Sequence, residues 1–298
     1  MKLRILQILA LMLVCFLPLQ AVAGRKLKVV TSHYPLTFVA NELLEKTRGR
    51  AIQLTPMGIE PHDYRPRPSD IKALYRADLI IYHGPSMEPW IEKHKKDLLA
   101  KGIAMVSLQE LFQKTEATDH DHGYDPHIWL EPVLFHRAIQ TIAAKMTEID
   151  PKNGSDYKRR SVFLGQSLGT MGYDYTNVLQ RCKSKMIVTE HASFARMAKL
   201  YGLKNVALRG TSPHKIPTPK SLARLSRLLK EKGTKYIFYE LGTSSKYVKS
   251  LGKDLKIEVL PLHNLASLTT VEVKQKKSYF HLMNFNLGQL EKGLSCYK

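Results

Sequence analysis

Cysteine is scarce in this chain of 298 residues, and the three present are Cys15, Cys182 and Cys296. That count excludes a cysteine-built zinc module and a disulfide-dense scaffold. The sequence has no HExxH or other compact hydrolase motif, which removes the simplest metal-hydrolase readings. Repeats and low-complexity tracts are absent, so a solenoid is excluded. Beyond the first two dozen residues no apolar run is long enough to cross a membrane. Acidic residues are the minority, 26 Asp and Glu against 46 Lys and Arg for a net charge of +20. The cations are nevertheless scattered, with only short clusters such as Lys274 to Lys277 and no aromatic-interleaved basic motif. They read as solvated faces, and no nucleic-acid partner is expected.

What is present begins with an export signal. Lys2 and Arg4 precede an apolar stretch from Ile5 to Leu19, and Ala21-Val22-Ala23 supplies a small-residue cleavage site before Gly24. Residues 1–23 are therefore expected to be a signal peptide and the mature protein, with net charge +18, to act in a periplasm. Export leaves Cys182 and Cys296 in a compartment that permits disulfides, where they either bridge or stand as two thiols.

The mature sequence alternates short apolar runs with helical periodicity. LKVVTS, AIQLTPM, DLIIYHG and AMVSL read as strands. PLTFVANELLEKT, SDIKALYRA with Ser69 as N-cap, and PWIEKHKKDLLAKG read as helices. A helix from Glu131 to Ile149 and a longer one from about Ser155 to Gln180 follow. Alternation then resumes through KMIVTE, VALRG, YIFYEL and IEVLPL to a final helix near Phe280 to Leu294. Such a pattern predicts α/β architecture with parallel sheets. Two lobes are expected, 24–151 and 183–298, joined by a linking helix at 152–182.

Four histidines fall in loops at or near strand ends, where open α/β sheets hold ligands. They are His62 in GIEPHDYRPRPSD, His127 in DPHIWLEP, His191 in VTEHASF and His263 in VLPLHNLAS. They lie too far apart in sequence for a local motif, two in each prospective lobe, so a metal held between facing lobes is the expectation. Glu60 or Glu190 as general base beside a zinc-bound water would instead make a zinc hydrolase, and an adhesin is a third reading with no residue behind it.

GIEPHDYRPRPSDIKALYRADLIIYHGPSMEPWIEK, DPHIWLEP, TEHASFARMAKLYGLKNVAL and YFHLMNFNLGQLEKGL resemble, in order, the zinc- and manganese-binding solute receptors of ABC importers. The resemblance covers nearly the whole mature chain. It implies two lobes of parallel sheet bridged by one long helix, a receptor that captures metal between them for a membrane permease, and His62, His127 and His191 as ligands; a monomer is expected. Much of that family has an Asp where this chain has His263. Either His263 stands in as a fourth imidazole, or it caps the strand and water, Glu60 or Glu240 completes the shell. Four imidazoles would favour Zn²⁺ over Mn²⁺ or Fe²⁺, with Asp125, Glu190 and Glu240 as candidates to orient them. His120 and His122 resemble a short version of the His-rich loop of zinc receptors. His33, His83, His94, His136, His214 and His281 read as background, with His33 near enough to the first strand to support a ligand from behind.

Overall fold

A computed structural model describes residues 26–47, 49–113, 124–210, 217–242 and 245–297. The signal segment, His120, His122 and His214 lie outside the described residues.

The first lobe runs β1 (Lys28–Thr31), α1 (Tyr34–Leu44), β2 (Arg50–Gln53), α2 (Pro68–Leu74), β3 (Leu79–Tyr82), α3 (Pro89–Glu92), α4 (Lys95–Ala100), β4 (Ala104–Ser107) and α5 (Leu108–Gln113). Its strands form one parallel sheet in the order β2-β1-β3-β4. β3 is buried at every position, as a strand covered on both faces must be. Val30, Ile80 and Tyr82 pack with Leu74 and Ile91 on one side, while Val29, Leu79 and Ile81 join Leu36, Val39 and Trp129 on the other. The connections proceed outward from β1 to β2 and then return to β3, so the sheet reverses direction between its two central strands.

Two local expectations change. The helix over Pro68–Leu74 is capped by the Asp70 carboxylate, which accepts the Arg67 N–H at 2.7 Å, and not by Ser69. PWIEKHKKDLLAKG is two short helices with His94 between them, its ring 3.2 Å from the Tyr75 hydroxyl.

Next come α6 (Pro132–Ile149) and α7 (Gly154–Leu179). The 26 residues of α7 extend about 39 Å, enough to run past both lobes. Gly165 costs helix propensity but permits close packing, because a Cβ there would lie 2.3 Å from Nε2 of His136 on α6.

The second lobe runs β5 (Met186–Thr189), α8 (Ala195–Leu200), β6 (Lys204–Ala207), α9 (Pro219–Glu231), β7 (Tyr236–Leu241), α10 (Lys246–Leu255), β8 (Glu258–His263), α11 (Thr270–Lys274) and α12 (Tyr279–Gly293). Its strands are parallel but hydrogen-bond as two pairs, β5-β6 and β7-β8. Val188 and Ile237 bring the pairs into one apolar cluster.

The lobes share more than α7. One continuous core includes Val29 and Phe135 of the first lobe, Leu164 and Tyr175 of α7, and Phe194, Leu262 and Leu290 of the second. The start of α12 reaches the first lobe: the Tyr279 ring stacks 5.4 Å from Phe38 and its hydroxyl donates to the Trp129 carbonyl at 2.6 Å. Farther along, the Tyr175 hydroxyl donates to the Met283 carbonyl at 2.6 Å. Cys182, just beyond α7, forms a disulfide with Cys296, just beyond α12. On the chain-entropy account, a bridge over roughly 100 residues stabilises by about 4.7 kcal/mol.

Candidate metal centre

His62 is held by backbone stiffness. Pro61 opens a single 3-10 turn, Pro61–Asp63, in which the Asp63 N–H bonds the Glu60 carbonyl at 2.9 Å and the Tyr64 N–H bonds the Pro61 carbonyl at 3.2 Å. His127 is held by Asp125, whose Oδ1 accepts the His127 backbone N–H at 3.0 Å and lies 2.7 Å from its Nδ1. Arg196, from α8 of the other lobe, donates Nε–H to the Asp125 carbonyl at 2.9 Å. His191 lies just past β5, where the Thr189 hydroxyl donates to its carbonyl at 2.6 Å. Its Nδ1 lies 2.7 Å from Oε1 of the fully buried Glu240.

These three imidazoles come together across the lobes. Ring centres of His62 and His127 are 5.8 Å apart, and those of His127 and His191 are 5.4 Å apart. Zn–N bonds of about 2.0–2.1 Å at a tetrahedral angle put two ring centres about 5 Å apart. Among the described residues no three His, Cys, Asp or Glu side chains already converge on one coordination point. Nδ1 of both His127 and His191 faces a carboxylate, an arrangement that favours the proton on Nδ1 and a bare Nε2. Nε2 of His191 is buried and has no hydrogen-bond partner among the described residues.

The charges around the rings are coupled. Burial alone would lower the His191 pKa, but Glu240 outweighs it and the pKa is raised. Glu240 shifts the opposite way: burial opposes ionisation, yet His191 and the Ser193 hydroxyl, which donates to it at 2.8 Å, hold its pKa below the usual value. Glu60 joins the same group. Burial raises its pKa, the imidazoles of His191 and His127 pull it down, and Glu240 pushes it up again. Its Oε2 accepts the Asn264 amide N–H at 3.3 Å from the other lobe.

His263 is placed differently. It ends β8, and its peptide is clamped by Asn286, which accepts the N–H and donates to the carbonyl, both at 2.7 Å. Nδ1 accepts the Leu265 N–H at 2.9 Å, and Nε2 lies 3.2 Å from Oε1 of Glu272. Both ring nitrogens are thus engaged. The hydrogen bond from His263 is the first cause that holds the Glu272 pKa down at about 2. Sequence reasoning passed over Glu272, although Thr269-x-x-Glu272 is a capping box and the structure uses it as one. Asn264 and Asn286 had no sequence signal.

Two α/β lobes on a stiff connecting helix are the architecture of extracytoplasmic solute receptors, and the comparisons with known proteins agree. The chain belongs to the family described as zinc-uptake complex component A, periplasmic, which it matches over residues 29–293. It is 31% identical over 292 residues to the zinc-binding protein AdcA of Streptococcus pyogenes serotype M1, covering 91% of this chain and 56% of that protein. The chain thus spans about half the length of that relative. It is 32% identical to the high-affinity zinc uptake system protein ZnuA of Bacillus subtilis, covering 91% of this chain and 88% of that one. The crystal structure of Zn(II)-bound AdcA from Streptococcus pneumoniae superposes with a TM-score of 0.79 at 28% identity, over 91% of this chain and 58% of the other.

Proposed function

We propose that this chain is an exported receptor that captures Zn²⁺ between its lobes and delivers it to an ABC permease in the membrane. The observation that carries the reading is the facing set of His62, His127 and His191, drawn from both lobes, with carboxylates behind two of the three rings. Three imidazoles suit zinc better than manganese, which prefers oxygen donors. In this reading Glu60 is the fourth donor. Its buried carboxylate is electrostatically coupled to His191 and His127, and although burial raises its pKa, a bound dication would hold it ionised. His263 then serves as a latch between β8 and α11 and takes no part in the shell. A shell of four protein donors keeps no open position for a substrate, so the role is capture and not hydrolysis. The shared core and the α12 contact support a receptor whose lobes move little.

The assignment is tested by two substitutions in the same zinc competition titration. Glu60→Gln is expected to weaken zinc binding by more than the roughly 10- to 100-fold typical of losing a partner behind a ligand, whereas His263→Asp is expected to leave both zinc affinity and the zinc-to-manganese ratio nearly unchanged. If His263→Asp narrows that ratio and Glu60→Gln does nothing, the fourth donor is His263.

Acid should release the metal earlier than ordinary imidazoles would. A proton on His191 competes with zinc, and its raised pKa means that affinity begins to fall while the pH is still above the usual value of about 6.5. Glu240→Gln should move that onset to lower pH. Titrations between about pH 5 and 8 that give the two proteins superimposable profiles would detach Glu240 from the metal ligand.

A further inference from the structure

Behind His127 lies a second group of histidines, at the carboxyl ends of β1 and β3. These are the two central strands between which the sheet reverses direction, and the crevice at such a reversal is where open α/β sheets take ligands. His33 follows β1 by two residues and His83 follows β3 by one, and both are 0% exposed. Their ring centres are 6.5 Å apart. Trp129 packs edge-on against both, at 5.0 Å from His33 and 6.0 Å from His83, and Tyr124 lies 5.6 Å from His83.

Three ring nitrogens here, Nε2 of His33 and both Nδ1 and Nε2 of His83, have no hydrogen-bond partner among the described residues. Buried polar atoms are nearly always paired, and bare ones in a native fold call for a reason. The presentation of His33 repeats that of the imidazoles in the cleft. Its Nδ1 has the Ser32 hydroxyl at 2.8 Å and Oε1 of Glu88 at 3.5 Å, while Nε2 has no hydrogen-bond partner among the described residues. Glu88 is fixed in turn: its Oε2 accepts the N–H groups of His83 and Gly84 at 3.0 and 2.9 Å, while Oε1 accepts no hydrogen bond among the described residues. The turn that makes this possible requires glycine at position 84, where φ is +146° and a Cβ would lie 2.5 Å from that of Gln109.

We propose that His33, His83 and Glu88 form a second cation site, for one Zn²⁺ or a similar imidazole-preferring divalent ion, in the crevice between β1 and β3 beside Trp129. Two imidazoles on one zinc have ring centres about 5 Å apart at a tetrahedral angle, so the pair must close by about 1.5 Å, which takes a shift of a histidine side chain about χ1; as in the cleft, no three donors converge there already among the described residues. The Glu88 carboxylate provides the charge that a dication needs away from water. None of these residues belongs to the donor set of the cleft, so the two sites stand or fall separately.

The test uses the full chain carrying His120→Ala and His122→Ala, which removes the polar loop as a source of zinc binding. In that background His62→Ala with His191→Ala disables the cleft. This protein is expected to bind one zinc ion per chain in competition with a chromophoric chelator. Adding His83→Asn should weaken that binding at least 100-fold, and adding His33→Gln should weaken it at least 10-fold, with circular dichroism confirming the fold of each. If the cleft-disabled protein does not fold, the count is made with an intact cleft, where His83→Asn should lower the zinc bound per chain by one. X-ray absorption of the one-zinc species should report imidazole scattering. A folded cleft-disabled protein that binds no zinc, or a stoichiometry unchanged by His83→Asn, overturns the proposal.

Discussion

Saturating zinc is expected to raise the melting temperature of the full chain by about 8–16 °C. A ligand at 1,000 times its Kd that binds only the folded state stabilises by about 4.1 kcal/mol, and a chain of this size gains roughly 2–4 °C per kcal/mol. The rise comes from linkage: His62, His127 and His191 are brought together only by the folded pair of lobes, so the metal is lost when the lobes separate. His127→Ala should abolish the part of the rise that comes from the cleft, because its ring is 5.8 Å from that of His62 and 5.4 Å from that of His191. Differential scanning calorimetry of both proteins with and without zinc is the check. An equal rise in the two would mean that the cleft histidines hold no zinc.

His191→Ala should carry the largest combined penalty, affecting zinc affinity and apo stability together. Losing a ligand should weaken zinc binding by more than the roughly 10- to 100-fold typical of losing a partner behind one. The same change removes the cation beside Glu240, which is fully buried, and breaking a buried ion pair costs about 3–5 kcal/mol. The pair contributes where Glu240 is ionised and His191 protonated. His191 is shifted up and Glu240 down, so that window reaches from below the usual glutamate value of about 4.3 to above the usual imidazole value of about 6.5. The contribution is lost as pH falls through the Glu240 pKa or rises through the His191 pKa. Urea unfolding of the metal-free proteins at about pH 6 should therefore show the full cost. Glu240→Gln on top of His191→Ala should restore much of the stability and none of the zinc binding. If the double variant is no more stable than His191→Ala alone, the buried pair is not the origin of the loss.

The amino-acid order alone determined the α/β alternation, the long helix after the Asp150-Pro151 break and the three loop histidines with their motifs. Each of these is a local property: strand and helix periodicity, proline punctuation, and short strings such as Glu-Pro-His and Asp-Pro-His read without knowing the fold. Asp125 was legible as a support for His127 because it lies two residues away. Glu240 could be named only as a candidate, since it lies far from His191 in sequence and the packing of the β5-β6 pair beside the β7-β8 pair decides their meeting. Tertiary structure also decided the engagement of both His263 ring nitrogens, through a backbone amide two residues on and a capping glutamate on the next helix. It brought Cys182 to Cys296 by laying α12 back along α7. And it gathered His33 and His83, which read as unrelated background in sequence, because β1 and β3 are neighbours only once the sheet has formed. Hydrogen-bond geometry and sheet order couple residues that sequence spacing leaves independent, and they decide which imidazole keeps a lone pair for a metal.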